Sequence, residues 1–297
     1  MIKVRRIGHA TFETPDLDRQ IDYYTQVTGL ALVAREKDRA FLAARAGQLA
    51  IELQRADKPR CVKLSFEVAP TEDFSDMARR LAGHGIKSEI RSDSIPGTPK
   101  LISFQDPKGT ALELFSEWKS VGREQSVGGI GPLKFGHLAF FVPDPKAMAE
   151  FYMTVLGFRL SDWIGDFFVF LRCNADHHVV NFIKGEHTGV HHFAFELRDF
   201  SHLQNACDIF GQKDIPILWG PVRLGPGHNV ATFHRNPDEQ MIELYAELDQ
   251  MKDEELGYYD PRPWHKDNPQ RPKTWANHGA AFIWGPPPTP DFLRSRA

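Results

Sequence analysis

The stretch Phe135-Gly136-His137-Leu138-Ala139-Phe140 has a near copy close to the start of the chain. His9-Ala10-Thr11-Phe12 matches His137-Leu138-Ala139-Phe140 at an offset of 128 residues. Further matches occur at that offset or at 130 residues: Pro15-Asp16 with Pro143-Asp144, Tyr24 with Tyr152, Gly29 with Gly157, Asp106-Pro107 with Asn236-Pro237, and Glu113-Leu114 with Glu243-Leu244. So many agreements at nearly one spacing are hard to obtain by chance. The sequence therefore predicts two homologous halves followed by a tail.

Each half is predicted to run strand, helix and several strands, and then to repeat that order. In the second half, the apolar residues 135–142 are typical of a strand. Asp144 is a candidate N-cap, and apolar side chains from Met148 to Val155 then follow at the i, i+3, i+4, i+7 spacing of one helix face. Gly157 is the predicted end of this helix.

These patterns divide the chain into three predicted parts. They are an N-terminal domain at 1–125, a C-terminal domain at 131–248 and a tail at 249–297. The tail is rich in proline, which alone would indicate disorder. Trp264, Trp275 and Trp284 are interspersed with the prolines, so we expect the tail to wrap around the body as an extended segment.

Composition excludes several classes of protein. With 36 Lys and Arg against 39 Asp and Glu, the net charge is −3, which leaves no basic excess for binding nucleic acid. No apolar run approaches the length of a membrane span, and the first residues lack a signal-peptide pattern, so we expect a cytoplasmic protein. Three scattered cysteines make a disulfide scaffold or thiolate zinc site a poor interpretation. The 22 Phe and 13 His suit an apolar cavity that holds a few polar groups.

Three side chains of the second half are candidate metal ligands. His137 and His192 each lie three residues before a phenylalanine of a predicted strand, and Glu243 lies in a third strand. Two imidazoles and one carboxylate form the ligand set of non-haem Fe(II) sites with open positions. The alternative for any single histidine is a buried residue of the core. The matching set in the first half is His9, Lys63 and Glu113, and a protonated lysine offers no lone pair. We therefore predict one metal per chain, in the second half.

The sequence resembles the vicinal oxygen chelate superfamily, within it the two-domain type I extradiol ring-cleavage dioxygenases. The strings that carry the resemblance are 135–140, Leu171-Arg172-Cys173-Asn174-Ala175-Asp176-His177-His178, Val190-His191-His192-Phe193 and Met241-Ile242-Glu243-Leu244-Tyr245. The resemblance implies an α+β fold of four tandem βαβββ modules, two per half, forming two homologous barrel-like domains. It also implies Fe(II), with Mn(II) as the alternative, and a catechol-type substrate whose ring is opened by O2 beside the diol. His178 matches the family's acid–base residue, and family members are commonly homo-oligomers.

Two positions depart from the family pattern. Family members usually carry a histidine nineteen residues before the ligand glutamate and a tyrosine ten before it, where this chain has Leu224 and Phe233. His228, in a glycine-containing loop, is the candidate replacement for the missing histidine. Leu224, Phe233 and His234 are the candidate substrate-binding residues, although strand alternation would turn His234 away from Phe233.

Two functions follow from these observations. The first is an Fe(II)-dependent extradiol dioxygenase that acts on an aromatic diol in aromatic compound degradation, without nucleic acid or membrane partners. The alternative is a non-oxygenating member of the superfamily, a metal-dependent isomerase or lyase or a small-ligand binder, which Leu224 and Phe233 favour.

Overall fold

The computed structural model describes residues 1–121, 128–276 and 282–293. Residue 125, the predicted end of the first domain, lies outside the described residues, as do tail residues 277–281 and 294–297. None of the described helices is both long and apolar enough to cross a membrane.

The chain folds as four successive βαβββ modules, which confirms the predicted α+β fold. In the first half, the elements are β1 Val4–Thr14, α1 Leu17–Tyr23, β2 Ala31–Arg35, β3 Arg39–Ala43, β4 Leu49–Arg55, β5 Arg60–Val68, α2 Phe74–Gly83, β6 Ser88–Ile95, β7 Thr98–Gln105 and β8 Ala111–Phe115. In the second half, they are β9 Lys134–Val142, α3 Pro145–Leu156, β10 Arg159–Ile164, β11 Phe168–Arg172, β12 Val180–Lys184, β13 Gly189–Glu196, α4 Phe200–Gln212, β14 Trp219–Leu224, β15 Val230–Arg235 and β16 Met241–Ala246. A π-helical turn, Tyr24–Thr28, extends α1.

The repeated residues account for the ends of the first helix in each half. The side chains of Asp16 and Asp144 cap α1 and α3 by accepting hydrogen bonds from the backbone N–H groups of Arg19 and Ala147. Gly29 and Gly157 end the helical segments with φ values of 79° and 72°, in the left-handed region that favours glycine.

Each half forms one sheet with the same internal order. The first sheet runs β2-β3-β4-β1-β5-β8-β7-β6 and the second β10-β11-β12-β9-β13-β16-β15-β14 between two added tail strands. The first strands of the two modules in each half pair antiparallel at the centre, β1 with β5 and β9 with β13. Among the described residues, the end strands of each sheet do not pair with each other. The barrel-like sheets are therefore not closed.

Tail residues extend the second sheet at both edges. After a short hairpin of β17 Met251–Asp253 and β18 Tyr258–Tyr259, strand β19 Lys273–Trp275 pairs parallel with β10. At the other edge, β20 Phe282–Trp284 pairs with β14, and the short helix α5 Pro290–Leu293 follows. The tail therefore pairs with both edge strands of the second half, β10 and β14.

The two halves share one apolar core. Side chains from one face of the central strands meet there, and the rings of Phe12 in β1 and Phe193 in β13 have centroids 4.4 Å apart. Because side chains alternate along a strand, the residues next to these phenylalanines point to the opposite face of each sheet. We call that opposite face of the second sheet, which carries His137, His192 and Glu243, the inner face.

Two repeated tyrosines connect the halves in equivalent ways. The hydroxyl of Tyr152 in α3 donates to Asp106 Oδ2 of the first half at 3.0 Å. The equivalent Tyr24 hydroxyl accepts from Asn236 Nδ2 of the second half, at a longer 3.5 Å. All four residues are buried. Some of the residues that match between the halves therefore also form hydrogen bonds that join the halves.

Tyr152→Phe is expected to lower the free energy of unfolding by about 1.5 kcal/mol, because a buried hydrogen bond to a carboxylate is lost. Tyr24→Phe is the matched control and should cost less than about 1 kcal/mol, because its hydrogen bond is long and uncharged. Urea unfolding followed by circular dichroism measures both. Equal losses in the two variants would contradict this account of the junction.

Candidate metal centre

Strand register brings the three predicted ligands to one place. Ala194 of β13 pairs with His137 of β9 on one side and with Glu243 of β16 on the other. His192 lies two residues before Ala194 and pairs with Ala139. Directly paired residues and residues two apart share a face of a sheet, so all three side chains lie on the inner face.

The ligand atoms converge on one carboxylate oxygen. Oε2 of Glu243 lies 3.1 Å from Nε2 of His137 and 3.2 Å from Nε2 of His192. The residues are 0%, 6% and 1% exposed for His137, His192 and Glu243. Burial by itself raises the pKa of the Glu243 carboxyl, but the two facing imidazoles outweigh it and hold the pKa at about 2. The carboxylate is therefore ionised and available as a ligand at neutral pH.

This donor set fits a divalent transition metal. Two imidazole nitrogens and one carboxylate oxygen suit Fe(II) or Mn(II), and three protein ligands leave positions for other molecules. The second carboxylate oxygen of Glu243 is also engaged, because Asn229 Nδ2 donates to Oε1 at 2.7 Å. Asn229 therefore fixes the orientation of the carboxylate. The sequence signal for it was only its place in the loop before β15.

Two further residues support His137. The ring of Tyr245 lies 5.0 Å from that of His137. An added Cβ at Gly136 would come 2.1 Å from the Tyr245 hydroxyl oxygen, so only glycine allows this packing. Neither residue was singled out from the sequence as part of the site, although Gly136 and Tyr245 flank the predicted ligands in the chain.

His178 lies beside the candidate metal ligands. Its ring centroid is 4.3 Å from that of His137 and 5.3 Å from that of Phe170. Burial, together with the neighbouring histidines, lowers the pKa of His178 well below its usual range. Its Nδ1 is 3.0 Å from Nδ1 of His177, and Nε2 of His177 is 3.1 Å from Oδ2 of Asp162. A chain of buried polar groups therefore holds the His178 ring.

His228 belongs to a separate group of side chains. Its Nδ1 lies 2.7 Å from Oδ2 of Asp249, whose Oδ1 lies 2.8 Å from Nε2 of His265 in the tail. These atoms are close enough for a second candidate metal site. The two rings use different oxygens of Asp249, and Nδ1 of His265 already accepts from the Arg262 N–H. This pattern is typical of a hydrogen-bonded bridge, whereas the first group converges on one oxygen.

The three predicted substrate-binding residues occupy different surroundings. Phe233 pairs with Glu243, and its ring lies 5.8 Å from that of His192. Leu224 is the last residue of β14, directly before the glycine-containing loop that carries His228. His234 is not brought to the ligands, because its Nε2 lies 2.5 Å from the hydroxyl oxygen of Tyr23 in the first half. Burial lowers the pKa of His234 to about 3, which leaves a neutral residue of the junction between the halves.

The equivalent position in the first half is filled by an ion-pair network. Lys63 Nζ lies 3.1 Å from Glu52 and 3.7 Å from Glu113, and His9 lies 3.8 Å from Glu113. Burial lowers the pKa of His9 to about 4. Lys63, which cannot bind a metal, thus supplies the positive charge that faces the carboxylates of Glu52 and Glu113.

Comparison with known proteins agrees with this architecture. The family model described as "Glyoxalase/Bleomycin resistance protein/Dioxygenase superfamily" matches residues 6–114 and again 134–244. These matches cover most of the chain and coincide with its two halves. The chain belongs to this superfamily, as its sequence predicted.

Several relatives are extradiol dioxygenases. The chain is 26% identical to a biphenyl-2,3-diol 1,2-dioxygenase of Paraburkholderia xenovorans, over 96% of this chain and 95% of the relative. It is 23% identical to a manganese-dependent 2,3-dihydroxybiphenyl 1,2-dioxygenase of Geobacillus genomosp. 3, over 82% and 85%. Among solved structures, the Mn(II)-bound glyoxalase from Novosphingobium aromaticivorans superposes with a TM-score of 0.85 at 24% identity, over 100% of this chain and 96% of that one.

Metal analysis of two variants should separate the candidate sites. We expect about one Fe(II) per chain in the loaded wild type, a nearly complete loss in His192→Ala, and retention in His265→Ala, because only the first group converges on one point. Elemental analysis after gel filtration measures the stoichiometry, and circular dichroism checks that both variants fold. Iron retained in His192→Ala but lost in His265→Ala would place the metal at the second group.

Proposed function

We propose that this protein is an Fe(II)-dependent extradiol dioxygenase that opens the ring of a catechol-type aromatic with O2, beside the diol, with Mn(II) as the alternative metal. The observation that carries the proposal is the convergence of His137, His192 and Glu243 on one buried point beside the neutral His178. The relatives named as extradiol dioxygenases support it, since two of them align along most of the chain.

His137, His192 and Glu243 would hold the metal. When bound, Fe(II) would supply the redox and Lewis-acid chemistry that the reaction of a catechol with O2 requires. The contribution of the protein is to keep the three ligands on one rigid face and to leave the remaining positions to small molecules. Their near-complete burial also limits access of water to the reacting groups.

His178 is arranged to accept a proton. Asp162 is a carboxylate, so the His177 Nε2 that faces it carries the proton of that ring. In a neutral His177 ring, Nδ1 is then an acceptor, and Nδ1 of His178 would donate to it. This leaves Nε2 of His178 with its lone pair. A neutral imidazole in this tautomer can take the proton that a catechol hydroxyl releases and later return it.

Aromatic side chains provide apolar surface around the ligands. Phe168 and Phe170 of β11 stack with centroids 4.2 Å apart on the His178 side. On the other side, Phe233 stacks on Trp219 at 5.5 Å and contacts Phe292 of α5 at 5.0 Å. These surfaces suit the flat, apolar ring of an aromatic diol between them.

The experiment that tests the proposal is O2 uptake by protein loaded anaerobically with Fe(II), or separately with Mn(II), across mono-, bi- and polycyclic catechols. Extradiol cleavage is expected to consume one O2 per diol and to form the yellow ring-fission product. A matched sample of His178→Gln should retain the metal and lose turnover by about 100-fold or more, as expected for a general base. No uptake by protein that retains one metal ion per chain, in both the Fe(II) and the Mn(II) sample, would contradict the proposal.

One observation favours a non-oxygenating function instead. Leu224 and Phe233 stand where the family carries a histidine and a tyrosine, and neither side chain can donate a hydrogen bond to a substrate oxygen. The superposable Mn(II)-bound protein from Novosphingobium aromaticivorans is described as a glyoxalase. In this second function, the site would bind or isomerise a small metal-chelating ligand, and metal-dependent binding would occur without O2 uptake.

Phe233→Tyr should raise the activity of the proposed dioxygenase. The new hydroxyl would add a donor on a residue that pairs with Glu243 and contacts His192. One donor to a developing oxyanion is worth on the order of 100-fold, so we expect kcat to rise by about tenfold or more. Steady-state O2 uptake at equal iron content measures it, and Phe282→Tyr, on another ring that contacts Trp219, is the control. An unchanged kcat in Phe233→Tyr would show that this missing donor does not limit turnover.

A further inference from the structure

Asn181 lies on the inner face beside the metal ligands. It pairs with Ala139 of β9, which in turn pairs with His192 of β13. On its other side, Asn181 pairs with Phe170 of β11. Neighbouring strands are about 4.8 Å apart, so the Asn181 backbone lies about two strand spacings from that of His192. Asn181, Ala139 and His192 thus form a row of paired residues across three strands. Only the Ala139 methyl group lies between the side chains of Asn181 and His192 in this row.

The amide of Asn181 is buried without a hydrogen-bond partner. The residue is 0% exposed, and neither Nδ2 nor Oδ1 has a partner among the residues the structure describes. An asparagine amide brings two donors and one acceptor, and leaving them unpaired costs free energy. Such a group in the middle of a sheet face indicates that its partner is a molecule other than the protein.

In the first half, the position equivalent to Asn181 is occupied by Glu52, whose side chain is fully hydrogen-bonded within the protein. Glu52 of β4 pairs with Thr11, just as Asn181 pairs with Ala139, the repeat equivalent of Thr11. Four neighbours donate to the Glu52 carboxylate: Thr11 at 2.6 Å, Gln54 at 2.7 Å, Arg39 at 2.9 Å and Lys63 at 3.1 Å. In the second half, the Ala139 side chain has no donor, and His192 faces Glu243. Asn181 thus keeps a polar side chain where its protein partners have been removed.

We propose that Asn181 determines specificity by hydrogen bonding to a neutral polar substituent, a carbonyl or hydroxyl group, on the ring of the bound aromatic diol. This inference rests on the proposed function and names the substrate class more closely. The diol end of the ring lies at the metal ligands, and the substituent extends along the row past Ala139 towards Asn181. Phe170 then packs against the apolar part of the substituent.

The substituent is neutral because no free cation accompanies Asn181 among the described residues of this row. Arg172 is the nearest cation in register, two residues after Phe170 on β11. Its guanidinium is already bound to Glu254, at 2.8 Å, and to the hydroxyl of Ser161. A carboxylate beside Asn181 would be buried without a counter-charge, which is costly. A carbonyl or hydroxyl needs only the amide.

The test compares catechols that carry an acetyl group with catechols that carry the similarly shaped isopropyl group, at ring position 3 or 4. Binding to Fe(II)-loaded full-length protein is measured anaerobically by calorimetry, and cleavage is measured separately by O2 uptake. In Asn181→Leu, affinity and kcat/KM for the acetyl diol should fall about tenfold relative to wild type, the worth of one good hydrogen bond. Values for the isopropyl diol should change less than about threefold.

Controls separate this role from a structural one. Ile183→Val alters the same strand and face without polar change, so it should leave the acetyl preference intact. Asn181→Leu removes an unpaired amide, so without substrate its melting temperature should equal or exceed that of wild type. A melting temperature lowered by several degrees would instead reveal an internal bond and overturn the inference. Asn181→Ser, a smaller variant that keeps a hydroxyl, should recover part of the acetyl preference.

The two proposals fail in different ways. If wild type cleaves diols but Asn181→Leu affects acetyl and isopropyl compounds equally, the role of Asn181 is overturned and the dioxygenase stands. If wild type with one bound Fe(II) or Mn(II) cleaves no diol, the proposed function is overturned and this inference falls with it.

Discussion

The buried carboxylate of Glu243 is the constraint on which the site depends. A carboxylate that is almost fully removed from water must be surrounded by donors or positive charge. His137 and His192 face one of its oxygens and Asn229 faces the other. These partners come from β9, β13 and the start of the β15 strand region, so the central strand pairing of the second half must form before the carboxylate is satisfied. A metal between the three ligand atoms would answer the same electrostatic requirement.

The two halves solve this problem differently on one scaffold. In the first half, Lys63 brings a positive charge to the carboxylates of Glu52 and Glu113, so the equivalent face is filled by protein groups. In the second half, histidine replaces that lysine, alanine replaces Thr11 and asparagine replaces Glu52. Each replacement removes an internal partner. On the inner face of the second half, the Asn181 amide is therefore left without a protein partner among the described residues.

The repeat made the fold and the ligand set predictable from sequence. Residues such as Asp16 and Asp144, or Gly29 and Gly157, have local roles at helix ends, and local roles leave a readable pattern. Histidine and glutamate at matching strand positions were readable for the same reason. Strand β14 was not, because Gly220 and Pro221 interrupt its pattern. The surroundings of Asn181 and His228 depend on pairing between distant strands and on the tail, and such contacts leave no periodic signal.

The tail supplies the asymmetry that the repeat lacks. Its strand β19 lies along β10, where the Trp275 indole donates to Asp162, the residue that faces His177. Near the other edge, the ring of Phe292 contacts that of Phe233 and lies 6.0 Å from the ring of His191, which precedes the candidate ligand His192 in the chain. On one side, the tail thus fixes Asp162, which positions His177 and through it His178. On the other side, Phe292 of the tail packs against the ring of Phe233. The two homologous sheets thus differ in a few inner-face residues and, among the described residues, in the tail strands that pair with the second sheet alone.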